Sequence, residues 1–409
     1  MDYVRMADEL RWMQANPAFE ERPATIREFM GEEYLNVRKK IRPAIMACLE
    51  DIIGDEVDSS HLTKYPRAMI TGGIGIGKTT IASVILPYMC HWVLCLKDPQ
   101  DFFDLLPGSR IAFMQMSTSA PQALEVIFGD VKARIQYSPW FQEKYPFDPQ
   151  FKNQIRFPQK DIWILPGDSA ETTFEGYNIL GGILDEADSH KITQNKDYAE
   201  QGYTTIHTRI TSRFDDRGFL LVIGQMKKGN GFAARKFAEF KRDPKAYAVR
   251  MAIWESFGWE KFLKDDGTRD SFWYDTSRHE IVPPLAADEL GKPEHLIEIP
   301  NVYRQDFLNN PEKALRDLAG IPPITGSPFI SLTYKVTEAR DRWLERYPNV
   351  ESPVDARGNI GKWFRATDSL KRVVHIDMAY SPEGDALGIC LAHVPEVVEI
   401  DGEYKPFIV

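Results

Sequence analysis

Nine residues, from Gly72 to Thr80, have the types and spacing needed to bind a chain of phosphates. They read Gly72-Gly73-Ile74-Gly75-Ile76-Gly77-Lys78-Thr79-Thr80 and fit the pattern G-x-x-x-x-G-K-[ST]. In this pattern the glycines let backbone N–H groups converge on the phosphates, and the start of the following helix adds a favourable partial charge. The lysine reaches the β- and γ-phosphates, and the hydroxyl after it coordinates Mg²⁺. The stretch therefore predicts an ATP·Mg²⁺ site with Lys78 as a catalytic cation and Thr79 as a metal ligand.

An acidic pair further along the chain could complete this chemistry. The apolar run Ile179–Leu184 predicts a buried strand that ends in Asp185-Glu186-Ala187-Asp188. An aspartate at the end of such a strand can hold Mg²⁺, and a glutamate beside it can polarise an attacking water. Asp185 is therefore the second predicted Mg²⁺ ligand and Glu186 the predicted catalytic base. Many strands end in a solvated acidic turn, so an apolar run followed by Asp-Glu is weak evidence by itself. The prediction depends on its occurring in the same chain as the glycine-rich stretch.

The elements that must position these residues alternate in type from about residue 67 to residue 253. Ala68–Ile70 predicts a strand directly before the glycines, and Thr80–Leu96 a helix directly after them, which disfavours a mere glycine-rich turn. Alternating strands and helices are typical of a mostly parallel sheet with crossover helices. The fold class predicted is therefore α/β, a P-loop (RecA/ASCE-like) sheet with flanking helices. The further strands predicted are Arg110–Met116, Asp161–Leu165, Ile179–Leu184, Phe219–Ile223 and Ala246–Ile253.

Pattern changes along the chain predict four parts. Residues 1–60 predict a helical segment broken at Pro23 and Pro43, residues 61–254 the P-loop core, and residues 255–330 an irregular linker or lid. Within the core, residues 153–166 predict a hairpin inserted between crossover units. Residues 331–409 predict the start of another domain, with strands at 372–378 and 385–393 and a third beginning at 406. A third strand without a partner would leave an open edge, so we expect the natural protein to be longer.

Composition is that of a soluble globular protein of more than one domain, with 409 residues, 43% hydrophobic and 27% charged. The most apolar stretch, residues 82–96, is too short to span a membrane, so no membrane partner is predicted. The four cysteines show no C-x-x-C spacing, which favours reduced thiols in a cytosolic protein.

The net charge of −10 disfavours a static clamp on DNA, because such clamps are usually basic. Any DNA contact must then come from local basic segments. A solvated helix face is an equally good explanation for each of the two basic segments. The smaller segment is residues 38–40. The main segment, residues 226–250, supplies these candidate DNA contacts: Lys227, Lys228, Arg235, Lys236, Lys241 and Arg242.

The order of these motifs resembles the large terminase subunits that package DNA in tailed bacteriophages. Residues 70–79 resemble the nucleotide loop of that family, and residues 175–187 its approach to the metal-binding aspartate and catalytic glutamate. Further resemblances lie at 137–141, 212–214 and 314–321, so the similarity runs through most of the chain. Each motif is short, and the specificity lies in their number and order.

The resemblance implies an ATP-driven motor that translocates double-stranded DNA into a procapsid. It implies a homo-oligomeric ring on the portal protein, a small terminase subunit as partner, and a location in the host cytoplasm and transiently on the procapsid portal. It also implies that residues 331–409 begin an RNase H-like nuclease using Mg²⁺ or Mn²⁺. The metal ligands implied are Asp377 and, more weakly, Asp385, which could instead cap a turn. Two-metal cleavage needs further carboxylates, so this chain is not expected to cut DNA.

Two departures from the family pattern leave residues unassigned. Some members carry an arginine inside the nucleotide loop, whereas the loop interior here is Gly73-Ile74-Gly75-Ile76. After the predicted strand Phe219–Ile223, the coupling segment reads Gly224-Gln225-Met226 in place of small hydroxyl residues, and Gln225 could sense the γ-phosphate through its amide. The candidates for the missing arginine finger, each of which could equally be an ordinary surface or ion-pairing residue, are Arg134, Arg156, Arg209 and Arg213.

Two other functions remain open from the sequence. Asp185-Glu186-Ala187-Asp188 spells the DEAD box of nucleic-acid helicases, but no second nucleotide-facing lobe and no Ser-Ala-Thr-like motif is evident after residue 255. A nucleotide-gated scaffold with little hydrolysis is the other alternative. Glu186 argues against it, because a base beside the metal ligand suits turnover.

Overall fold

The computed structural model describes residues 3–119, 123–124, 126–168, 176–193, 196–283, 295–323, 341–342, 345, 372–377, 388–393, 396–400 and 403–407. The chain divides into two compact units, Met1–Ser331 and Leu332–Val409. The four-part division expected from the sequence is finer than this and stays a prediction.

The strands number sixteen in the described residues. They are β1 (Arg67–Gly72), β2 (Ile111–Ser117), β3 (Ile155–Phe157), β4 (Ile162–Asp168), β5 (Asn178–Leu184), β6 (Ile192–Thr193), β7 (Lys196–Asp197), β8 (Phe219–Gly224), β9 (Ala246–Met251), β10 (Ser271–Asp275), β11 (Glu280–Val282), β12 (Leu296–Pro300), β13 (Arg372–Asp377), β14 (Gly388–His393), β15 (Glu396–Ile400) and β16 (Glu403–Phe407).

The first unit contains twelve α-helices with described bounds. They are α1 (Tyr3–Ala15), α2 (Ile26–Phe29), α3 (Pro43–Ile53), α4 (Lys78–Leu94), α5 (Pro99–Phe102), α6 (Ile127–Tyr137), α7 (Pro139–Lys144), α8 (Tyr198–Phe214), α9 (Phe232–Arg242), α10 (Ile253–Phe257), α11 (Arg304–Asn309) and α12 (Pro311–Asp317). Single 3₁₀ turns add Arg38–Lys40, Ala187–Ser189, Trp259–Phe262 and Asn301–Tyr303.

A seven-stranded sheet in the order β3-β4-β2-β5-β8-β1-β9 organises the first unit, and only β3 runs antiparallel to its neighbour. This confirms the predicted α/β fold. The strands are apolar almost throughout and buried on both faces, as parallel strands between two helical layers must be. Since parallel strands all end at one edge, the residues that follow β1, β5 and β8 lie close together there. β8 sits between the other two.

Helices cover both faces of this sheet. α3, α4 and α6 pack into a core on one face, and α8 and α9 pack into a separate core on the other. The helix after β1 is buried along nearly its whole length, including Pro87 in its interior. Its apolar sequence is therefore explained by packing. In the described residues no helix is both long and apolar enough to cross a membrane.

Two expectations about local structure need correction. The hairpin predicted as an insertion is formed by β3 and β4, but β4 also pairs in parallel with β2 and so belongs to the main sheet. Pro43 does not break a helix. It begins α3, where the missing N–H costs nothing. Cys48, Cys90 and Cys95 are free and buried.

The region predicted as an irregular linker contains a three-stranded antiparallel sheet in the order β11-β10-β12. This small sheet packs with α11, α12 and Trp254 into a third apolar cluster around Tyr274 and Phe307. The predicted helix near Pro311–Leu318 is α12. The three strands were not predicted, because short strands separated by charged turns leave little periodicity, and the assignment as a linker or lid stays a prediction.

In the second unit, β13 pairs antiparallel with β14, and β15 pairs with β16. The expected hairpin is therefore present, but the third strand begins at Glu396, and Pro406 lies in a fourth strand. Asp377 is the last residue of β13 and faces Gly388 in the register. Asp385, its proposed companion, lies outside the described residues.

Candidate active site

The loop from Gly72 to Gly77 connects β1 to α4, as the motif predicts. Gly77 is the N-cap of α4 and has a φ of 99°, a left-handed conformation that a side chain would strain. A Cβ there would also lie 2.4 Å from Ile45 Cδ1 of α3. Only glycine fits between the loop and the helix that supports it.

The acidic turn, residues Asp185–Asp188, follows β5 at the same edge of the sheet. Asp185 is 6% exposed, and burial together with the charge of Glu186 raises the pKa of its carboxyl to about 7. Lys78 faces this turn. Burial lowers the pKa of the lysine, while Glu186 and Asp185 oppose that shift. The Lys78 ammonium itself donates to the carbonyl oxygens of Gly73 at 2.9 Å and Gly72 at 3.3 Å.

Glu186 has an unusual backbone conformation. Its φ of 52° and ψ of 45° place it in the left-handed region, which non-glycine residues adopt at a cost of about 1–3 kcal/mol. Its N–H donates to Asp185 Oδ1 at 2.9 Å, and its carboxylate accepts a hydrogen bond from the Ser189 hydroxyl at 2.8 Å. The surrounding turn therefore fixes the carboxylate that the sequence assigns as the base.

Two side chains hold the outside of the loop, and the sequence did not single out either. The Arg42 guanidinium donates to the Gly75 carbonyl oxygen at 2.8 Å and to Ser256 Oγ at 2.9 Å. The fully buried Ser256 hydroxyl donates in turn to the Ile76 carbonyl oxygen at 2.7 Å. Because C=O and N–H of one peptide point in opposite directions, these contacts turn the N–H groups of Ile76 and Gly77 inward. Arg42 and Ser256 thus preorganise an anion-binding concavity.

A covering segment, residues Asp317–Gly320, lies on the rim of the loop. The Ile74 N–H donates to the Asp317 carbonyl oxygen at 2.6 Å. Gly320 has a φ of 68°, and a Cβ there would lie only 2.4 Å from the Gly72 Cα. The end of α12 therefore touches the phosphate loop although it lies far along the chain.

Gln225 follows β8, between the loop and the acidic turn. Its side-chain amide donates to the Arg316 carbonyl oxygen at 2.8 Å and to Asp317 Oδ1 at 3.0 Å. Asp188 accepts from the backbone N–H groups of Lys227 at 2.9 Å and Ala233 at 2.7 Å. The last residue of the acidic turn thus anchors the segment that carries Lys227 and Lys228.

A family model described as "Uncharacterized protein MJ0330, N-terminal P-loop domain" matches residues 2–265 of the 409. The chain belongs to this MJ0330 P-loop family. The match covers both the phosphate loop and the acidic turn, and it ends in the region that follows α10. No curated protein matches the chain.

Solved structures with similarity to this MJ0330-family chain are weak matches. The large terminase ATPase domain of Thermus phage P74-26, in a mutant form, is 17% identical with a TM-score of 0.36, over 58% of this chain and 88% of that one. The HK97 bacteriophage large terminase is 15% identical with a TM-score of 0.37, over 90% and 67%. The large terminase of a thermophilic bacteriophage, in complex with ADP, is 10% identical with a TM-score of 0.36, over 74% and 81%. Similarity at this level carries no functional argument.

The four arginine-finger candidates of this MJ0330-family chain lie on different elements. Arg134 of α6 donates to Ser83 Oγ of α4 at 3.0 Å. Arg156 stacks on Phe151 and Trp163 and donates to Gln154. Arg209 and Arg213 are on α8, on the opposite face of the sheet from α4. The Ser83 hydroxyl donates in turn to the Thr80 carbonyl oxygen at 2.9 Å, so Arg134 reaches the first turn of α4 through Ser83, whereas Arg42 contacts the loop directly.

The candidate DNA contacts divide into two groups. Lys227 and Lys228 are exposed in the segment after β8, and Lys241 and Arg242 are exposed at the end of α9. Arg235 pairs with Asp197 and Glu200, and Lys236 pairs with Glu200 and Glu239. Arg235 and Lys236 therefore serve to join α9 to α8.

Proposed function

We propose that this chain is a Mg²⁺-dependent ATP hydrolase. The observation that carries the proposal is that the phosphate loop and the acidic turn lie at one sheet edge with Lys78 facing Asp185 and Glu186. The inward N–H groups of the loop, the start of α4 and Lys78 would bind the phosphates. ATP would be held by residues 72–80.

The donor set at this edge fits Mg²⁺, which prefers hard oxygen ligands and keeps several waters. Asp185 is a buried carboxylate whose burial and neighbour Glu186 disfavour its charge, and a divalent cation would restore the ionised form. The Thr79 hydroxyl lies in the first turn of α4. Bound Mg²⁺ would neutralise phosphate charge, while Glu186 orients and polarises the attacking water and Lys78 stabilises the developing charge.

The test is steady-state ATP hydrolysis by the purified chain and by Glu186→Gln, which keeps size and removes the base. We expect a loss of about 10²- to 10⁴-fold in kcat, with nucleotide affinity retained. Glu143→Gln, at an exposed glutamate on α7, is the matched control and should hydrolyse ATP at the wild-type rate. Equal rates for wild type and Glu186→Gln would reject the assignment of the base.

We further infer that hydrolysis moves double-stranded DNA in viral genome packaging. Support comes from the motif order in the sequence and from the position of Lys227 and Lys228, which Asp188 ties to the acidic turn. Under this proposal the chain assembles as a ring on a portal, with a small terminase subunit. Asp377 and Asp385 would then supply carboxylates to a metal-dependent nuclease.

DNA coupling has its own test. We expect linear blunt duplex to stimulate ATP hydrolysis without strand separation, and added salt to reduce the stimulation. Lys227→Gln with Lys228→Gln should weaken stimulation, whereas the charge-matched control Lys97→Gln with Lys152→Gln, at exposed lysines elsewhere, should not. Strand separation would favour a helicase. Turnover indifferent to DNA, even with the portal added, would reject the packaging proposal.

A further inference from the structure

Two hydrogen-bond donors converge on one carboxylate beside the phosphate loop. Asp317 Oδ1 accepts from the Gln225 amide at 3.0 Å and from Arg316 Nε at 2.8 Å. A second guanidinium nitrogen of Arg316 donates to Asp317 Oδ2 at 3.3 Å. The Asp317 side chain is 14% exposed and that of Arg316 is 35% exposed, so solvent screens this pair only in part.

This carboxylate is charged in the folded protein. Burial alone would raise its pKa, but the hydrogen bonds from Arg316 and Gln225 outweigh burial and lower the pKa of Asp317. The negative charge of Asp317 is therefore held in place by the Gln225 amide and the Arg316 guanidinium. The same two groups are well suited to a phosphate oxygen.

The Asp317 carboxylate lies where the terminal phosphate of a bound nucleoside triphosphate would lie. Lys78 and Thr79 begin α4, which the loop connects to the end of β1. Asp185 directly follows β5, and β8 runs between β1 and β5 in the sheet. A γ-phosphate held between Lys78 and Asp185 would therefore lie over the end of β8. Gln225 is the first residue after that strand. The Asp317 carbonyl oxygen contacts the Ile74 N–H at the rim of the same loop.

We infer that Asp317 acts as a resident anion that competes with the γ-phosphate for Gln225 and Arg316, so that these residues distinguish a nucleoside triphosphate from a diphosphate. The inference rests on the proposed nucleotide site. A diphosphate lacks the competing group and leaves the three side chains paired. A triphosphate draws Gln225 and Arg316 away from Asp317, and Arg316 then becomes the arginine that the loop itself lacks.

The test measures dissociation constants for ATPγS and for ADP, each with Mg²⁺, by titration calorimetry. For Arg316→Met we expect ATPγS to bind about 10-fold more weakly and ADP to change by less than about 2-fold. For Asp317→Asn we expect the opposite sign, with ATPγS binding about 3- to 10-fold more tightly and ADP unchanged. Lys152→Met, which removes an exposed cation from the loop before β3, is the control and should leave both constants unchanged.

The outcomes separate this inference from the proposed function. Since the contact to Ile74 uses the backbone of residue 317, both substitutions leave it in place, and a thermal melt checks that each variant is folded. Equal shifts for ATPγS and ADP, or no shift in either, would overturn the role of Asp317 and Arg316. Wild-type protein that binds neither nucleotide would instead overturn the nucleotide site itself.

Discussion

Replacing Ser256 by alanine should weaken nucleotide binding although the side chain touches no nucleotide. The hydroxyl links Arg42 to the Ile76 carbonyl oxygen and is fully buried. Its loss leaves that carbonyl without its buried partner, and removing one such hydrogen bond costs about 1–2 kcal/mol. In the variant the Ile76–Gly77 peptide is free to rotate, and nucleotide binding has to restore its orientation.

If that cost falls on binding, the dissociation constant for ATPγS should rise about 5- to 30-fold, since each 1.4 kcal/mol is a factor of ten. ADP should weaken equally, because the inward N–H groups serve phosphates common to both nucleotides. The rate of hydrolysis at saturating ATP should change by less than about 3-fold, since the acidic turn is untouched.

The assay is calorimetric titration with both nucleotides, with Ser271→Ala as control. Ser271 also donates a hydrogen bond, to Glu298, but lies on β10. Arg42→Met should weaken binding similarly, and the double variant should show less than the sum, because both side chains orient the same loop. Unchanged affinity in Ser256→Ala, with only a lower melting temperature, would refute the argument that these contacts preorganise the loop.

Three further changes test other features. Gly320→Ala should lower the free energy of unfolding by at least about 2 kcal/mol, because φ is positive and the new Cβ meets the Gly72 backbone; chemical denaturation measures this, and an unchanged midpoint would contradict the contact. Burial lowers the pKa of His91 to about 3, so its contribution to stability is complete above pH 6.5 and is lost as the pH falls. Wild type should therefore lose about 2 kcal/mol between pH 7.5 and pH 5 that His91→Gln does not lose, and parallel pH profiles would exclude this cause. Asp188→Ala should reduce stimulation by DNA with ATP affinity unchanged, since it frees the N–H groups of Lys227 and Ala233; equal stimulation would show that this anchor is not needed.

The phosphate loop and the acidic turn could be predicted from sequence because each is local. A glycine spacing followed by a lysine, and an apolar run followed by acids, are complete signals within ten residues. The parallel order of the sheet follows from the alternation of strands and helices. The structure confirms the α/β fold on those grounds, and the roles of the individual residues stay predictions.

The supports of the loop could not be predicted, because they come from distant parts of the chain. Arg42 reaches Ser256 across 214 positions, and Ser256 reaches Ile76 across 180. No local pattern marks an arginine before a helix or a serine within one as a partner of the phosphate loop. The small sheet of β10 to β12 was missed for a related reason, since its pairing depends on tertiary contacts.

The contact between Ile74 and Asp317 also means that the phosphate loop and its covering segment are completed at different times during synthesis of the chain. The loop has its supports once Ser256 is made, about 60 positions before Asp317, so a ribosome adding about 5–20 residues per second finishes them some 3–12 seconds before the covering segment. During that interval only water or a bound nucleotide can satisfy the Ile74 N–H. Cellular nucleotide that binds in this interval would stabilise the nascent chain before any of it is hydrolysed.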